Sequence, residues 1–88
     1  MELKDIIFCD SLPKIDLHGV DRETARVLVN DFINDNIKMK NENIVIIHGI
    51  GSGILRKEVH NTLKNNKKVL DFKMFYNNNG QTIVKIKI

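Results

Sequence analysis

Hydrophobic and polar residues along this chain follow two rhythms, one of period two and one of period near 3.6. From Lys14 to His18 the positions alternate, with Ile15 and Leu17 on one side and Lys14, Asp16 and His18 on the other. That pattern predicts a strand that aims Asp16 and His18 the same way. Pro13 holds the residue before it in extended geometry. Ala25, Leu28, Val29, Phe32, Ile33 and Ile37 then recur at helical spacing. They predict an amphipathic helix with Asp21 as N-cap and Glu23 and Thr24 in its first turn. The polar stretch from Lys40 to Asn43 ends it. Ile44 to Ile47 is an unbroken apolar run, as expected of a central strand buried on both faces.

A glycine-rich loop follows, and then a second helix from about residue 54 to 66. Leu55, Val59 and Leu63 form its buried stripe, and Arg56, Lys57, His60 and Lys64 take much of the remaining surface. Residues 69–76 alternate again, and Thr82 to Ile88 form a last strand. Between them Asn77, Asn78, Asn79 and Gly80 give a turn signal. The order is β-α-β-α-β-β, an α/β two-layer sandwich in which a four-stranded mixed sheet carries two helices. The helical crossovers require parallel strand pairing, and the last two strands are most simply an antiparallel hairpin. Residues 1–12 form a lead segment in which Ile6, Ile7 and Phe8 are expected to pack on the domain formed by residues 13–88.

Composition narrows the class without deciding the function. The chain has 88 residues, 42% hydrophobic and 28% charged, which is ordinary for one small globular domain. Its net charge of +3 favours anionic partners only mildly. Cys9 is the single cysteine, so neither an internal disulfide nor a cysteine-based zinc site is expected. No apolar run is long enough to cross a bilayer and the first residues lack a signal-peptide pattern, so a cytoplasmic setting without membrane contact is the expectation.

The chemistry concentrates where two apolar runs each end in histidine and glycine. One reads Ile15-Asp16-Leu17-His18-Gly19, the other His48-Gly49-Ile50-Gly51-Ser52-Gly53. In open α/β sheets ligands bind beyond the carboxyl ends of the parallel strands, and both motifs belong at such ends. Gly49, Gly51 and Gly53 let backbone N–H groups approach a ligand, and the following helix N-terminus suits an anion. The plain alternative is a turn that only reverses the chain. A dinucleotide fingerprint fits poorly because Ile54 stands where its third glycine belongs, and no Gly-Lys-Ser/Thr follows for a Walker A loop. Asp16 and His18 could pair with one another or flank one phosphate, although each also has an ordinary structural use at a strand end. His60, Arg56 and Lys57, with Lys64, Lys67 and Lys68, form either a basic track for a phosphate backbone or a solvated helix face. Phe75 or Tyr76 could stack on an unpaired base.

These two motifs resemble those of the small MutS-related (Smr) domain family, whose pattern is Leu-Asp-x-His followed by His-Gly-x-Gly-x-Gly. Leu55-Arg56 matches the family's continuation, and Thr82-Ile83-Val84 its terminal Thr-x-Val strand. Two departures stand out: Ile50 replaces a commonly basic residue, and Asn77 and Asn78 replace a glycine pair before the last strand. The resemblance implies nucleic-acid binding and endonuclease activity on RNA or nicking of DNA, and the scarcity of carboxylates at the proposed edge favours RNA over DNA as partner, cut through its 2′-hydroxyl. It also allows a non-catalytic adaptor that binds structured or ribosomal RNA. Asp16 and His18 are the expected catalytic pair with His48 assisting. Gly49, Gly51, Ser52, Gly53, Arg56, Lys57 and His60 are the expected phosphate contacts. A two-metal nuclease would need several converging carboxylates, and only Asp16 stands at the proposed edge, with Asp21 close. Metal-independent acid–base cleavage, which requires no cofactor, is therefore the expected route. A divalent metal held by Asp16, His18 and His48 is the alternative.

Overall fold

The alternation that begins at Lys14 gives a strand, β1 (Lys14–Asp16), shorter than the pattern predicts. The chain leaves the sheet at once: the Val20 N–H reaches back to the Leu17 carbonyl at 3.0 Å, and Gly19 takes φ +80°. His18 therefore stands in a turn, and its alignment with Asp16 comes from hydrogen bonds rather than from strand alternation. The computed structural model describes residues 12–51, 53–75 and 78–88, with residues 78 and 79 as backbone only. The expected lead segment with Ile6, Ile7, Phe8 and Cys9 lies outside the described residues, as do Ser52, Tyr76 and Asn77.

Asp21 caps α1 (Arg22–Lys38), its carboxylate accepting the Thr24 N–H. The helix buries Ala25, Val29, Ile33 and Asn36, with Leu28, Phe32 and Ile37 partly covered. Asn36 is an unexpected member of that stripe. It is fully buried, donates to the Phe32 carbonyl at 2.8 Å and accepts from the Asn41 amide at 3.0 Å, so its polarity is satisfied. The helix then stops at Lys40, which takes the left-handed conformation at φ 61° that usually calls for glycine.

Next comes β2 (Asn43–Ile47), with Ile44, Val45 and Ile46 all fully buried, as the unbroken run predicts. After the glycine-rich loop, α2 (Ile54–Lys64) packs along α1 and buries Val59, Thr62 and Leu63. β3 (Val69–Phe75) and β4 (Asn78–Ile86) form the hairpin. The sheet order is β1-β2-β4-β3, with β1 parallel to β2 and β4 antiparallel to both neighbours.

One expectation about pairing changes. The second crossover does not pair β2 with β3, because β4 slots between them. A hairpin strand of nine residues with buried Thr82, Ile83, Val84 and Ile86 is the more apolar member of the pair, so it takes the interior position. Leu17, Ile44, Ile46, Val84 and Ile86 meet Ala25, Val29, Ile33, Val59 and Leu63 in one core between sheet and helices. Against β2, Thr82 of β4 stands opposite Ile46, and so faces the helical layer.

Candidate functional site

The carboxyl ends of β1 and β2 open onto one cleft of about 690 Å³. His18, Gly19, Asp21 and Arg22 line it from the first motif, and His48, Gly49, Ile50, Gly51, Gly53 and Arg56 from the second. The two motifs touch: a Cβ on Gly49 would stand 3.2 Å from the His18 Cβ. The parallel strand pairing inferred from sequence thus places both histidines at the same sheet edge.

Their environments differ. His18 is exposed, and its Nδ1 lies 2.6 Å from Oδ1 of Asp16, which also accepts the His18 backbone N–H at 3.1 Å. A carboxylate only accepts, so Nδ1 carries the proton and the lone pair of neutral His18 is at Nε2. The hydrogen bond that His18 donates to Asp16 raises the His18 pKa above its usual 6.5, and the same bond lowers that of Asp16. The pair is an oriented base whose Nε2 is left for other work.

His48 is only 4% exposed. Its Nδ1 is 3.1 Å from the Gly49 carbonyl and its Nε2 is 2.8 Å from Oγ1 of Thr82. Burial lowers its pKa, and nearby Arg56 adds to the effect. Thr82 Oγ1 is also 2.8 Å from Nε2 of His60, whose ring stands edge-on to that of His48 and packs on Phe72. His60 was expected on the polar face of the helix beside Arg56. It is instead half-buried against the sheet, with Nε2 turned to Thr82.

The remaining basic residues divide. Arg56 folds back over the loop, its guanidinium 3.2 Å from where a Gly53 Cβ would be. Lys57 borders a smaller hollow beside the cleft, which it shares with Arg22, Ile54 and Glu58. Lys67 lies in a groove between the two helices with Arg26 and Asn30, and Lys68 reaches Asn34 of α1 at 3.1 Å. Only Arg56 and Lys57 of the proposed track stay with the cleft or its border.

The glycines also divide. Gly49 and Gly53 take φ of +81° and +84°, which explains their identity by backbone geometry. Gly51 has neither a positive φ nor any heavy atom within 4 Å of a Cβ placed there, so the fold does not require glycine at that position. Gly53 caps α2 without a side-chain hydrogen bond. Among the described residues, no three His, Cys, Asp or Glu side chains group to hold a metal ion, and both ring nitrogens of His48 have protein partners.

Two features of the site escaped the sequence reading. Arg22 sits at the first position of α1 and lines the cleft with the expected Arg56, which is in the first turn of α2. A cation there opposes the helix dipole, a cost of about 0.3–1 kcal/mol each, and that misplacement is the legible signal. Thr82 is a hydroxyl at an inward position of a strand whose other inward residues, Val84 and Ile86, are apolar. Gly80 joins it, its carbonyl accepting both the His48 and Gly49 N–H groups at 2.9 and 3.0 Å.

Known proteins share this architecture. The Smr domain family model matches residues 15–87. Endonuclease MutS2 of Helicobacter pylori is 42% identical over 73 residues, which span 83% of this chain and 10% of that protein. Endonuclease MutS2 of Ligilactobacillus salivarius is 40% identical over 68 residues, 77% of this chain and 9% of that one. The chain thus spans about a tenth of the length of the curated relatives it matches. The crystal structure of the Smr domain of Thermus thermophilus MutS2 superposes with a TM-score of 0.85 at 22% identity, covering 88% of this chain and all of that one. YdaL, a stand-alone small MutS-related protein from Escherichia coli, gives 0.79 at 23% identity, covering 85% of this chain and 64% of that one. At those identities the two structures bear on the fold alone. No described helix is long and apolar enough to cross a membrane.

Proposed function

The chain belongs to the Smr domain family, and from that premise we propose that the cleft binds the phosphate backbone of a nucleic acid, RNA in preference to DNA, and cleaves it. One observation carries the reading: Arg22 at the start of α1 and Arg56 in the first turn of α2 line the same cleft as His18, whose ring is oriented by Asp16. An anion seated between them turns two local costs into favourable contacts. Gly51 supports the same reading, since a glycine the fold does not need is useful where a ligand approaches the backbone. The relatives named as endonucleases are about ten times longer, so the activity is taken to this domain as a proposal.

The proposed step uses the RNA's own 2′-hydroxyl. Nε2 of neutral His18 takes the proton of that hydroxyl as its oxygen attacks phosphorus. The bond from phosphorus to the 5′-oxygen breaks, and the leaving oxygen takes a proton from water. Asp16 keeps the imidazole in its Nδ1–H form and stabilises the imidazolium. Arg22, Arg56 and the N–H groups of the loop balance charge on the phosphoryl oxygens. No metal is required by this route.

A second reading has its own support. The sequence expectation paired two histidines as base and acid, yet both ring nitrogens of His48 are engaged by Gly49 and Thr82. That leaves one free imidazole on the cleft, which suits a non-catalytic adaptor for structured or ribosomal RNA as well as a slow nuclease. Labelled single-stranded RNA, incubated with and without chelator, separates the two. Cleavage that persists in chelator, ends in a 2′,3′-cyclic phosphate and fails on a 2′-deoxy linkage is the expected result. Tight binding without cutting from pH 5 to 9 would favour the adaptor.

A further inference from the structure

We infer that the buried chain His60–Thr82–His48 is the device that holds the glycine-rich loop in its ligand-binding form, making Thr82 and His60 positioning residues for the phosphate subsite. The inference rests on the proposed role of that loop, but its first test does not need a ligand.

The protons available fix the direction of each bond. His48 Nδ1 faces a carbonyl oxygen, which can only accept, so Nδ1 carries the proton. Burial and the neighbouring Arg56 keep the ring neutral, which leaves Nε2 bare. Nε2 therefore accepts, and the donor at 2.8 Å is the Thr82 hydroxyl. That hydroxyl has one proton and has now used it. The second contact of Oγ1, 2.8 Å from His60 Nε2, must then be a bond donated by His60. Every proton in the chain has one place. It runs from α2 through β4 to the end of β2, and finishes on the Gly49 carbonyl.

The far end matters for the ligand. In a trans peptide the carbonyl of one residue and the N–H of the next point in opposite directions. Drawing the Gly49 carbonyl towards the buried His48 ring turns the Ile50 N–H outward, on the side of the cleft that the loop lines. The His48 and Gly49 N–H groups, both held by the Gly80 carbonyl, fix the other side of that glycine. Thr82 is fully buried and touches no ligand site itself, so its effect passes through His48. Other charged groups facing the chain are Arg56, near both histidines, and Lys64, near His60; each further disfavours a second proton on the ring it faces.

Long-range ¹H–¹⁵N correlation of the imidazoles near pH 7.5 tests the chain in the free protein. His48 should carry its proton on Nδ1 and His60 on Nε2; the reverse tautomer on either ring overturns the inference. Thr82→Val should then shift the backbone amides of Gly49 to Gly51 and weaken binding of a short single-stranded RNA roughly tenfold, as for one lost bond to a charged group. Thr82→Ser should restore both. Where Thr82→Val fails to fold, His60→Leu should move the same amides and His60→Gln should restore them. Wild-type amide positions in Thr82→Val or His60→Leu would overturn the inference. If the wild-type protein binds no RNA, the proposed function fails, while the tautomers and amide shifts still decide the chain.

Discussion

His18 and His48 each end an apolar run and each precede a glycine, yet the fold uses them in opposite ways. His18 lies 73% exposed by side chain and paired to a carboxylate, whereas His48 lies sealed against a hydroxyl and a carbonyl. The cause is the sheet position of the strand each one follows. β1 is an edge strand that ends a residue early, so His18 emerges in a turn at the margin. β2 is a central strand with β4 beside it, so the residue after it meets Gly80 and Thr82. The same dipeptide leaves an imidazole exposed at the sheet margin and buries the other one strand further in.

The largest test of that contrast is truncation of each ring. His18→Ala should lower RNA cleavage by ~10²–10⁴-fold, the usual contribution of a general base, with RNA affinity and the melting temperature at about pH 8 nearly unchanged. His48→Ala should instead lower the unfolding free energy by about 2–4 kcal/mol through the cavity and the unpaired Thr82 hydroxyl, and should weaken RNA binding through the loop that its ring holds. Urea unfolding and initial rates on both variants measure this. Loss of stability in His18→Ala at about pH 8, or none in His48→Ala, would break the comparison.

The glycines sharpen it at a smaller scale. Gly49→Ala forces a side chain into left-handed geometry, about 1–2 kcal/mol, and onto His18, so stability and activity should fall together. Gly51→Ala meets open space at ordinary φ. Its stability should stay within ~0.5 kcal/mol of wild type while RNA affinity drops. A Gly51→Ala protein that binds as well as wild type would mean that the ligand does not approach the loop backbone there.

Acidification should separate the two histidine environments by sign. His18 has a raised pKa, so its pairing with Asp16 stabilises the fold below 6.5 and that contribution is lost as pH rises through the folded value. His48 and His60 have lowered values. The unfolded chain takes up their protons near 6.5 while the folded one resists, so stability falls as pH drops from there through the folded values. Melting temperatures from pH 7.5 to 5 should decline in His18→Ala more steeply than in wild type, and His60→Gln should flatten the decline. A flat profile in all three would contradict the buried neutral chain.

Much of this was legible in the sequence, and what was not has a common cause. Periodicity placed α1, α2 and the unbroken β2, because the stripes at 25–37 and 55–63 and the run at 44–47 report burial directly. The motif pair placed Asp16, His18 and the loop at one edge. The burial of His60 and the role of Thr82 were hidden because they depend on β4 entering between β2 and β3, an order that local patterning does not encode. Without that insertion Thr82 has no histidine on either side. Arg22 was visible only as a charge on the wrong end of a helix, which becomes informative once a second helix N-terminus is known to face the same cleft.

The smallest effect probes the point where the two regions meet. Ile50 is 71% exposed on the loop, its backbone held from the His48 side and its side chain among the residues that line the cleft. A lysine there adds one cation to the cleft that Arg56 also lines and replaces an exposed side chain. If the cleft takes phosphate, Ile50→Lys should tighten single-stranded RNA binding roughly three- to tenfold at ~50 mM salt and steepen the salt dependence by about 0.7 in log–log slope, so that most of the gain is gone by ~300 mM. Cleavage per bound complex should not rise, since the base is His18 and the added charge binds ground state and transition state alike. Unchanged affinity at every salt concentration would place the nucleic acid elsewhere on the domain. A gain in turnover without a gain in affinity would mean that phosphoryl charge, rather than the His18 base, limits the reaction.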